Sequence, residues 1–237
     1  MIFEGAIAVK AILEANKREV KWVMVDVKKD DRNTRYILNL AKKQNIEVIY
    51  TAREEIDELA SGKTHGGIII EASKRKNDQL IHLNLKENST IFLIEGVEDP
   101  FNLGYALRSL YAFGCDGVLI KNQHLIHSES IIVKSSAGAS EKLPMIVVDD
   151  FNDSLHWLKK KDFKLVSMQR NDDSLAYDQY PFNQRLVIAI GGEKRGLSKE
   201  ILDQQDQMIY IPYMSDFKNA LNMTSALITI ASEVARQ

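Results

Sequence analysis

Two strand-and-loop segments near the carboxyl end of the chain decide its fold class. The first is Leu186-Val-Ile-Ala-Ile-Gly-Gly-Glu-Lys-Arg-Gly-Leu-Ser198, and the second is Ile209-Tyr-Ile-Pro-Tyr-Met-Ser-Asp-Phe-Lys-Asn-Ala-Leu-Asn-Met-Thr224. Each starts with a short β-branched run that is typical of a buried strand, and then enters a loop rich in glycine, proline or polar residues. Ligands of α/β sheets bind at this carboxyl edge of the strands. The two loops therefore predict a ligand held largely by backbone groups.

Strand and helix patterns alternate from residue 90 to the end of the chain, which predicts βαβ units and a mostly parallel sheet. The expected strands are Thr90–Glu95, Gly117–Lys121, Met145–Val148, Phe163–Met168, Leu186–Ile190 and Met208–Ile211. The expected helices are Asn102–Phe113, Asp150–Lys161, Ser198–Gln204 and Ala220–Arg236.

Residues 1–75 show a second alternation, which predicts a small α/β sandwich. Its expected helices are Phe3–Asn16, Asn33–Gln44 and Arg53–Ala60, and its expected strands are Val20–Val27, Glu47–Tyr50 and Gly67–Ala72. The stretch that follows is polar and is interpreted as a linker. The predicted organisation is a domain over residues 1–75, a linker over 76–89 and a domain over 90–237.

The bulk composition excludes several classes of protein. The chain has 237 residues, a net charge of −2 and a single cysteine, Cys115. It has no apolar run of the roughly 18 residues that a membrane span needs, and one cysteine cannot form an intrachain disulfide. A cytoplasmic protein is expected. The basic clusters around Lys28 and Lys74 are interpreted as solvated loops rather than as binding sites.

The motifs of several common enzyme classes are missing. The glycines of Gly191–Ser198 have the spacing of a phosphate-binding P-loop, but Leu197 replaces its lysine and Glu193 adds a negative charge. No G-x-G-x-x-G fingerprint follows a strand, and no G-x-S-x-G elbow is present. No metal site is expected, because the histidines form no cluster with cysteine or acidic residues; they are His65, His82, His124, His127 and His156.

Polar residues also follow the strand that ends at Glu95. Asn102 is expected near the start of the next helix, and Arg108 lies six residues further along. The two side chains could be an ordinary helix cap and an ordinary surface charge. They could equally project towards the loop edge of the sheet, where a ligand would bind. The residues alone leave both interpretations open.

Taken together, three motifs resemble the SpoU/TrmH branch of the SPOUT RNA methyltransferases. They occur in the order Glu98–Arg108 with Ala112-Phe-Gly114, then Ile190–Leu197, then Ile211-Pro212 with Ala220–Thr224 and Glu233–Gln237. Lys134-Ser-Ser-Ala-Gly-Ala139 and Leu143-Pro144 are similar to a further segment of that family. Residues 1–72 are similar to its small RNA-binding domain, a match carried by the helix at Gly5 and the Thr64–Gly67 turn.

The resemblance implies a parallel sheet with a deep trefoil knot, S-adenosylmethionine (SAM) bound in the knot without a metal, and a homodimer formed through the knot region. The family's cofactor contacts fall at Ser167, Met168, Gln169, Ile190, Gly191, Gly192, Ile211, Leu221, Asn222 and Ala226. Its catalytic positions fall at Asn102, Arg108, Glu193 and Asn222.

The implied function is SAM-dependent methylation of a ribose 2′-hydroxyl in RNA, with a guanosine of 23S ribosomal RNA as the expected target. Two features depart from the family pattern: Ala220 stands where serine is usual, and the loop between Pro212 and Asn222 is about one residue longer. The alternatives are a tRNA substrate, methylation of a base, or a non-catalytic factor in RNA binding and ribosome assembly.

Overall fold

The computed structural model describes residues 1–122, 128–192 and 195–237. Its strands in chain order are β1 (Ile2–Glu4), β2 (Val20–Asp26), β3 (Glu47–Thr51), β4 (Ile68–Ala72), β5 (Thr90–Glu95), β6 (Gly117–Lys121), β7 (Met145–Val148), β8 (Lys164–Met168), β9 (Leu175–Ala176), β10 (Leu186–Gly191) and β11 (Gln207–Tyr210). Its α-helices in chain order are α1 (Ala6–Ala15), α2 (Arg32–Lys43), α3 (Arg53–Leu59), α4 (Pro100–Ala112), α5 (Glu129–Ser135), α6 (Ala139–Lys142), α7 (Asn152–Lys159), α8 (Lys199–Leu202) and α9 (Met223–Arg236).

The chain forms two compact units. The first contains Met1–Lys76 and the described part of Ile126–Lys142, and the second contains the described parts of Asn77–Leu125 and Leu143–Gln237. Each unit has its own sheet with the helices between its strands, so the predicted α/β class is confirmed. The units differ in one respect from the predicted division into residues 1–75, 76–89 and 90–237, because a segment after β6 belongs to the first unit.

The first unit is built on a four-stranded sheet in the order β1-β4-β2-β3. β2 and β3 are parallel, whereas β4 is antiparallel to both of its neighbours. Aliphatic side chains from α1, α2 and the strands fill its core, among them Val9, Ile12, Val23, Ile37 and Ile70.

The amino terminus corrects the predicted helix Phe3–Asn16. Ile2–Glu4 forms β1, in which Phe3 pairs with Ile70 of β4, and the helix begins at Ala6. Gly5 between them has φ +90°, a conformation that L side chains rarely adopt, so this glycine separates strand from helix. A three-residue strand that pairs with a distant partner leaves no local periodicity in the sequence.

Two short helices from the middle of the chain complete the first unit. α5 and α6 pack against α1, and Val133 of α5 belongs to the unit's core. A Cβ atom at Gly138 would lie 2.4 Å from the Cβ atom of Ala11, so the segment approaches α1 as closely as only glycine allows. Glu141 is fully buried and binds Arg18. The segment is therefore part of the packed interior of this unit.

The second unit contains a seven-stranded sheet in the order β7-β6-β5-β10-β8-β11-β9, in which every described pair is parallel. The strand β10 lies between β5 and β8, with Ile188 paired to Phe92 and to Val166. Because the strands are parallel, the carboxyl ends of β5, β8, β10 and β11 share one edge. α9 packs against α4 and β10. Among the helices of the described residues, none is long and apolar enough to cross a membrane.

Candidate active site

A cavity of about 490 Å³ lies at the carboxyl edge of the second sheet. The ends of β8, β10 and β11, the loop after β10 and the residues that lead into α9 form its walls. The lining residues are Met168, Gln169, Arg170, Ile190, Gly191, Gly192, Arg195, Gly196, Leu197, Leu202, Ile209, Tyr210, Ile211, Tyr213, Ala220, Leu221, Met223 and Ala226. The segments Leu186–Ser198 and Ile209–Thr224 therefore border the same space.

Most of the residues predicted to contact a cofactor line this cavity. They are Met168, Gln169, Ile190, Gly191, Gly192, Ile211, Leu221 and Ala226. Two predicted residues do not. The Ser167 side chain is fully buried, and its hydroxyl donates a hydrogen bond to Gln205. Asn222 instead caps α9, where its Oδ1 accepts a hydrogen bond from the backbone N–H of Ser225 at 2.7 Å.

The loop after β10 makes very close backbone contacts. A Cβ atom at Gly191 would lie 2.2 Å from the carbonyl carbon of Gly196, and one at Gly192 would lie 2.3 Å from the carbonyl oxygen of Gly96. Both glycines are thus required by the approach of neighbouring backbone rather than by their own dihedral angles. Glu193, which the sequence places among the catalytic residues, lies outside the described residues, as do His124 and His127.

A smaller cavity of about 190 Å³ brings the three sequence motifs together. Asn102 comes from the first motif, Gly192 from the second and Met223 from the third; the other lining residues are Gly96, Val97, Glu98 and Asp99. Gly192 and Met223 also line the larger cavity, so the two spaces adjoin. Thr224 in α9 donates a hydrogen bond from its hydroxyl to the carbonyl oxygen of Asn102 at 3.4 Å.

Asn102 and Arg108 share α4 but occupy different surroundings. The helix begins at Pro100, after Asp99 has capped it by accepting a hydrogen bond from the Phe101 N–H at 3.0 Å. Asn102 is half-buried at the small cavity. Arg108 is exposed, is absent from the lining of both cavities, and makes no hydrogen bond or ion pair with the described residues.

Several polar residues of the larger cavity were not predicted from the sequence. Arg170 and Arg195 bring positive charge to it. The guanidinium carbon of Arg170 lies 5.6 Å from the ring centre of Tyr213 and 5.9 Å from that of Tyr210. The Tyr213 hydroxyl accepts a hydrogen bond from the Leu221 N–H at 2.8 Å and so closes the loop between them. Arg170 and Tyr213 each directly follow a predicted segment, and this adjacency was the signal that could have identified them.

The cavity offers an unused amide to a ligand. The Nε2 atom of Gln169 is buried and has no hydrogen-bond partner among the described residues. A buried donor without a partner is costly, and because Gln169 lines the cavity its amide is placed to donate to a bound ligand. Within residues 1–122, 128–192 and 195–237, no group of three or more His, Cys, Asp or Glu residues is arranged to hold a metal ion.

In the first unit, the Thr64–Gly67 turn is held by a buried histidine. The Nε2 atom of His65 lies 2.6 Å from Asp57 Oδ1, and the Gly67 N–H donates to His65 Nδ1 at 3.2 Å. Because Nδ1 accepts, this network assigns the ring proton to Nε2. His65 thus fixes the shape of the turn. Gly66, with φ +59° and open space around it, faces no close neighbour.

Comparison with known protein families matches both parts of the chain to RNA methyltransferases. The SpoU rRNA Methylase family matches residues 89–231, and the RNA 2′-O ribose methyltransferase substrate binding family matches residues 2–77. A protein of Staphylococcus aureus named for the TrmH family of tRNA/rRNA methyltransferases is 31% identical over 232 residues, which are 96% of this chain and 92% of that protein. The 23S rRNA (guanosine-2′-O-)-methyltransferase RlmB of Coxiella burnetii is 28% identical over 98% of this chain and 94% of its own.

Solved structures have the same fold. The SpoU methyltransferase AviRb from Streptomyces viridochromogenes, in complex with AdoMet, superposes with a TM-score of 0.82 at 21% identity, over 100% of this chain and 89% of its own. An AdoMet-bound rRNA methyltransferase from Sinorhizobium meliloti gives a TM-score of 0.82 at 18% identity, over 99% of this chain and 86% of that one. The family match covers most of the chain and includes all three motifs that border the cavities. This chain belongs to the SpoU rRNA methylase family.

Proposed function

We propose that this chain transfers a methyl group from SAM to a ribose 2′-hydroxyl of RNA, and that its substrate is a guanosine of 23S ribosomal RNA. The observation that carries the proposal is the pair of adjoining cavities, where three separate motifs of a SpoU-family chain converge. The relatives from Coxiella burnetii and Acinetobacter baylyi are both named as 23S rRNA (guanosine-2′-O-)-methyltransferases, which supports this choice of substrate. A ribosomal RNA substrate would place the enzyme in the cytoplasm.

The larger cavity fits SAM. Its volume of about 490 Å³ is in the range of small-molecule sites. Its walls combine apolar side chains such as Ile190 and Ile211 with backbone groups, as an adenosine requires, and the unpartnered Gln169 amide can donate to a polar atom of the cofactor. Arg170 and Arg195 can balance its carboxylate. These residues support a cofactor role for the site that includes Met168, Gly191, Gly192, Leu221 and Ala226.

When bound, SAM supplies an electrophilic methyl carbon. The ribose 2′-hydroxyl would take up this methyl group and lose its proton to solvent water, and S-adenosylhomocysteine would leave. Asn102, at the adjoining small cavity, is suited to hold the ribose. Arg108 is suited to bind the neighbouring phosphate, because a guanidinium with a pKa above about 12 is a poor base but matches a phosphate with its planar fork. Positioning of this kind contributes much of the rate.

Two further residues belong to this proposal. Glu193 would orient Arg108. Asn222 would act through its amide NH₂, because its Oδ1 is already used to cap α9. The Ala220 position lacks the hydroxyl that is usual in the family, and Tyr213 supplies the hydrogen bond that closes this loop.

The first unit would bind the RNA. The ends of β2 and β3 and the start of β4 meet at one edge of its sheet, since Asp26 pairs with Thr51 and its N–H donates to the carbonyl oxygen of Gly67. The loops at this edge carry Lys28, Lys29 and Lys63, and the helices that follow two of them begin at Arg32 and Arg53. Lys29 also contacts Asp31 at 2.8 Å, so the edge is mixed in charge and would rely on loop shape as well as on charge.

We further propose that the enzyme is a homodimer and that its carboxyl-terminal segment forms the family's trefoil knot. Support for a dimer comes from exposed aromatic side chains on α4, where Phe101, Tyr105 and Tyr111 are 50%, 48% and 45% exposed. Support for the knot comes from the position of β10 between β5 and β8 and from the packing of α9 on α4. Light scattering coupled to gel filtration tests the dimer, and a monomer at micromolar concentration would contradict it.

The central experiment measures cofactor binding and methyl transfer. Calorimetry should detect the binding of SAM or S-adenosylhomocysteine, and the protein should transfer the labelled methyl group of SAM to total RNA. Arg108→Ala should abolish transfer and leave SAM affinity nearly unchanged, whereas Lys160→Ala, at the exposed residue that follows α7, should change neither. Absence of SAM binding at millimolar ligand would refute the proposal, and SAM binding without methylation of any RNA would favour the non-catalytic alternative.

The substrate is tested separately. Mapping of 2′-O-methyl sites in a deletion strain should show the loss of one guanosine modification in 23S RNA, restored by the intact gene. The loss of a tRNA modification instead would support the tRNA alternative, which the name of the Staphylococcus aureus relative also includes. The loss of a base methylation would refute the ribose assignment.

A further inference from the structure

A carboxylate outside the predicted site holds one end of the loop that borders the larger cavity. Glu95 is the last residue of β5 and is 9% exposed. Its Oε2 atom accepts a hydrogen bond from the backbone N–H of Ser198 at 2.7 Å. Ser198 is the last residue before α8, and the Arg195, Gly196 and Leu197 residues that precede it line the cavity. Glu95 therefore fixes the point at which this wall ends.

The residue next to Glu95 holds the other end of the same loop. Gly96 has φ +75°, and its carbonyl oxygen is so close to Gly192 that a Cβ atom there would lie 2.3 Å away. The loop also closes on itself, since the Gly196 N–H donates to the carbonyl oxygen of Gly192 at 2.9 Å. Two consecutive residues at the end of β5 thus contact both ends of the segment from Gly192 to Ser198.

A lysine orients the Glu95 carboxylate. Lys121, the last residue of the neighbouring strand β6, places its Nζ atom 3.5 Å from Glu95 Oε1 and 3.6 Å from Glu200 Oε2. The same Nζ lies 4.9 Å from the centre of the buried Phe151 ring. With one oxygen near Lys121 and the other bonded to Ser198, the carboxylate has little freedom to turn. A hydrogen bond to a charged, half-desolvated group is also stronger than a neutral one.

We infer that Glu95 is a positioning residue for methyl transfer: it holds Gly192 and the cavity wall over residues 195–198 in the form that binds SAM. This inference rests on the proposed function, because it assigns the wall of the cavity to the cofactor. It does not assign Glu95 any contact with the cofactor or with RNA. Glu95 acts through its hydrogen bond to the Ser198 N–H and through its chain neighbour Gly96, which contacts Gly192.

Variants at both partners of the hydrogen bond test the inference. Glu95→Ala removes the acceptor, and Ser198→Pro removes the donor at a position whose φ of −68° already suits proline. Each should weaken SAM binding by roughly tenfold or more, the range expected for a charge-assisted hydrogen bond. Glu95→Gln keeps an acceptor oxygen but loses the ion pair with Lys121, so it should fall between the wild type and Glu95→Ala.

Matched controls separate positioning from general stability. Ser198→Ala keeps the backbone N–H and deletes a hydroxyl that has no partner among the described residues, so it should bind SAM like the wild type. The double variant of Glu95→Ala and Ser198→Pro should bind no more weakly than Glu95→Ala alone, because both changes remove one contact. In each variant, calorimetry gives the Kd for SAM of the folded protein, and thermal unfolding gives the loss of stability.

The outcomes distinguish the inference from the proposed function. A merely structural Glu95 would lower Tm and the active fraction but leave the Kd and KM for SAM unchanged, and this result would overturn the inference. Equal binding and turnover in Glu95→Ala would also overturn it, while leaving the proposed function in place. A wild-type protein that binds no SAM would refute the proposed function itself.

Discussion

Arg18 and Glu141 form a buried ion pair with two hydrogen bonds. Nε and Nη2 of Arg18 lie 2.9 Å and 2.8 Å from the two carboxylate oxygens of Glu141, and the residues are 5% and 0% exposed. Arg18 Nη1 also donates to the carbonyl oxygen of Ser73 at 2.9 Å. Burial by itself lowers the pKa of the Arg18 guanidinium, but the hydrogen bonds and charges of Glu141 and Glu129 together outweigh it and raise that pKa. The pair joins the start of the first unit to the segment that completes it.

Replacement of Arg18 by methionine should destabilise the first unit strongly. Removal of one partner leaves the Glu141 carboxylate buried without its counter-charge, which typically costs about 3–5 kcal/mol. Urea unfolding of the full chain in a Trp157→Phe background, followed by the fluorescence of Trp22 in β2, would measure the loss.

Lys21→Met is the control for that experiment. Lys21 contacts Glu71 at 2.6 Å in the same unit, but its side chain is 71% exposed, and such a pair contributes less than about 1 kcal/mol. Equal losses of stability in the two variants would show that the burial of Arg18 has no energetic importance.

Gly192→Ala should impair both the fold of the second unit and SAM binding. The new Cβ atom would lie 2.3 Å from the carbonyl oxygen of Gly96, and backbone on both sides limits relaxation. Overpacking of this kind costs about 1–3 kcal/mol. Gly62→Ala in the first unit has its nearest neighbour at 3.9 Å and should change thermal stability little. A Gly192→Ala protein with wild-type SAM affinity would contradict the close approach of Gly192 to the backbone of Gly96.

Asn222 allows its cap and its proposed role in the reaction to be separated. Asn222→Asp keeps an oxygen that can accept from the Ser225 N–H, so Tm should stay near that of the wild type; Asn222→Ala loses the cap and about 1 kcal/mol. Both variants lack the side-chain NH₂, so both should lose methyl transfer. If Asn222→Asp methylated RNA at the wild-type rate, Asn222 would be a helix cap only.

Cys115 should be an unreactive thiol in the folded protein. Its Sγ points inward to the carbonyl oxygens of Gly117 and Thr90 at 3.0 Å and 3.4 Å, and burial raises the pKa of the thiol to about 12. At pH 8 a disulfide reagent should react roughly a thousandfold more slowly with the native protein than in denaturant, because only the thiolate attacks. A native rate near the denatured one would contradict this burial.

The same shift has a consequence for stability at alkaline pH. The unfolded thiol has a pKa of about 8.5, below the folded value, so the unfolded chain releases its proton first. Stability should be unaffected by this group below that pH and should fall as pH rises towards 12. Cys115→Ala should lack this part of the alkaline decline, which pH-dependent urea unfolding can measure.

Local patterns identified most of the elements and the edge at which the site lies. β5, β6, β8 and β10 are buried runs whose ends the sequence marks with glycine or polar residues, so their order of appearance predicts a shared carboxyl edge. Elements that form only through contacts with distant parts of the chain could not be predicted in this way. Ile2–Glu4 becomes a strand only because β4 lies beside it, and α5 joins the first unit because Gly138 can approach Ala11.

The candidate site, too, could be predicted from the sequence only in part. The family resemblance implied cofactor contacts at Gln169 and Gly191, and both residues line the cavity. The Ser167 side chain does not line the cavity, because side chains alternate along a strand and this one faces the interior, where Gln205 accepts its hydrogen bond. Glu95 was recognised only as the end of a strand, since its partner Ser198 is more than 100 residues away along the chain.

The place of residues 129–142 in the first unit also matters while the protein is being made. A chain leaves the ribosome amino terminus first, and a domain usually folds once its last residue has emerged. The first unit cannot pair Arg18 or cover Ala11 until Gly138 and Glu141 have been synthesised, and by then β5, α4 and β6 have already emerged as chain. The first unit therefore cannot finish folding until residues 129–142 have been made, and a gene cut after residue 77 would encode a sheet whose Arg18 lacks both Glu129 and Glu141.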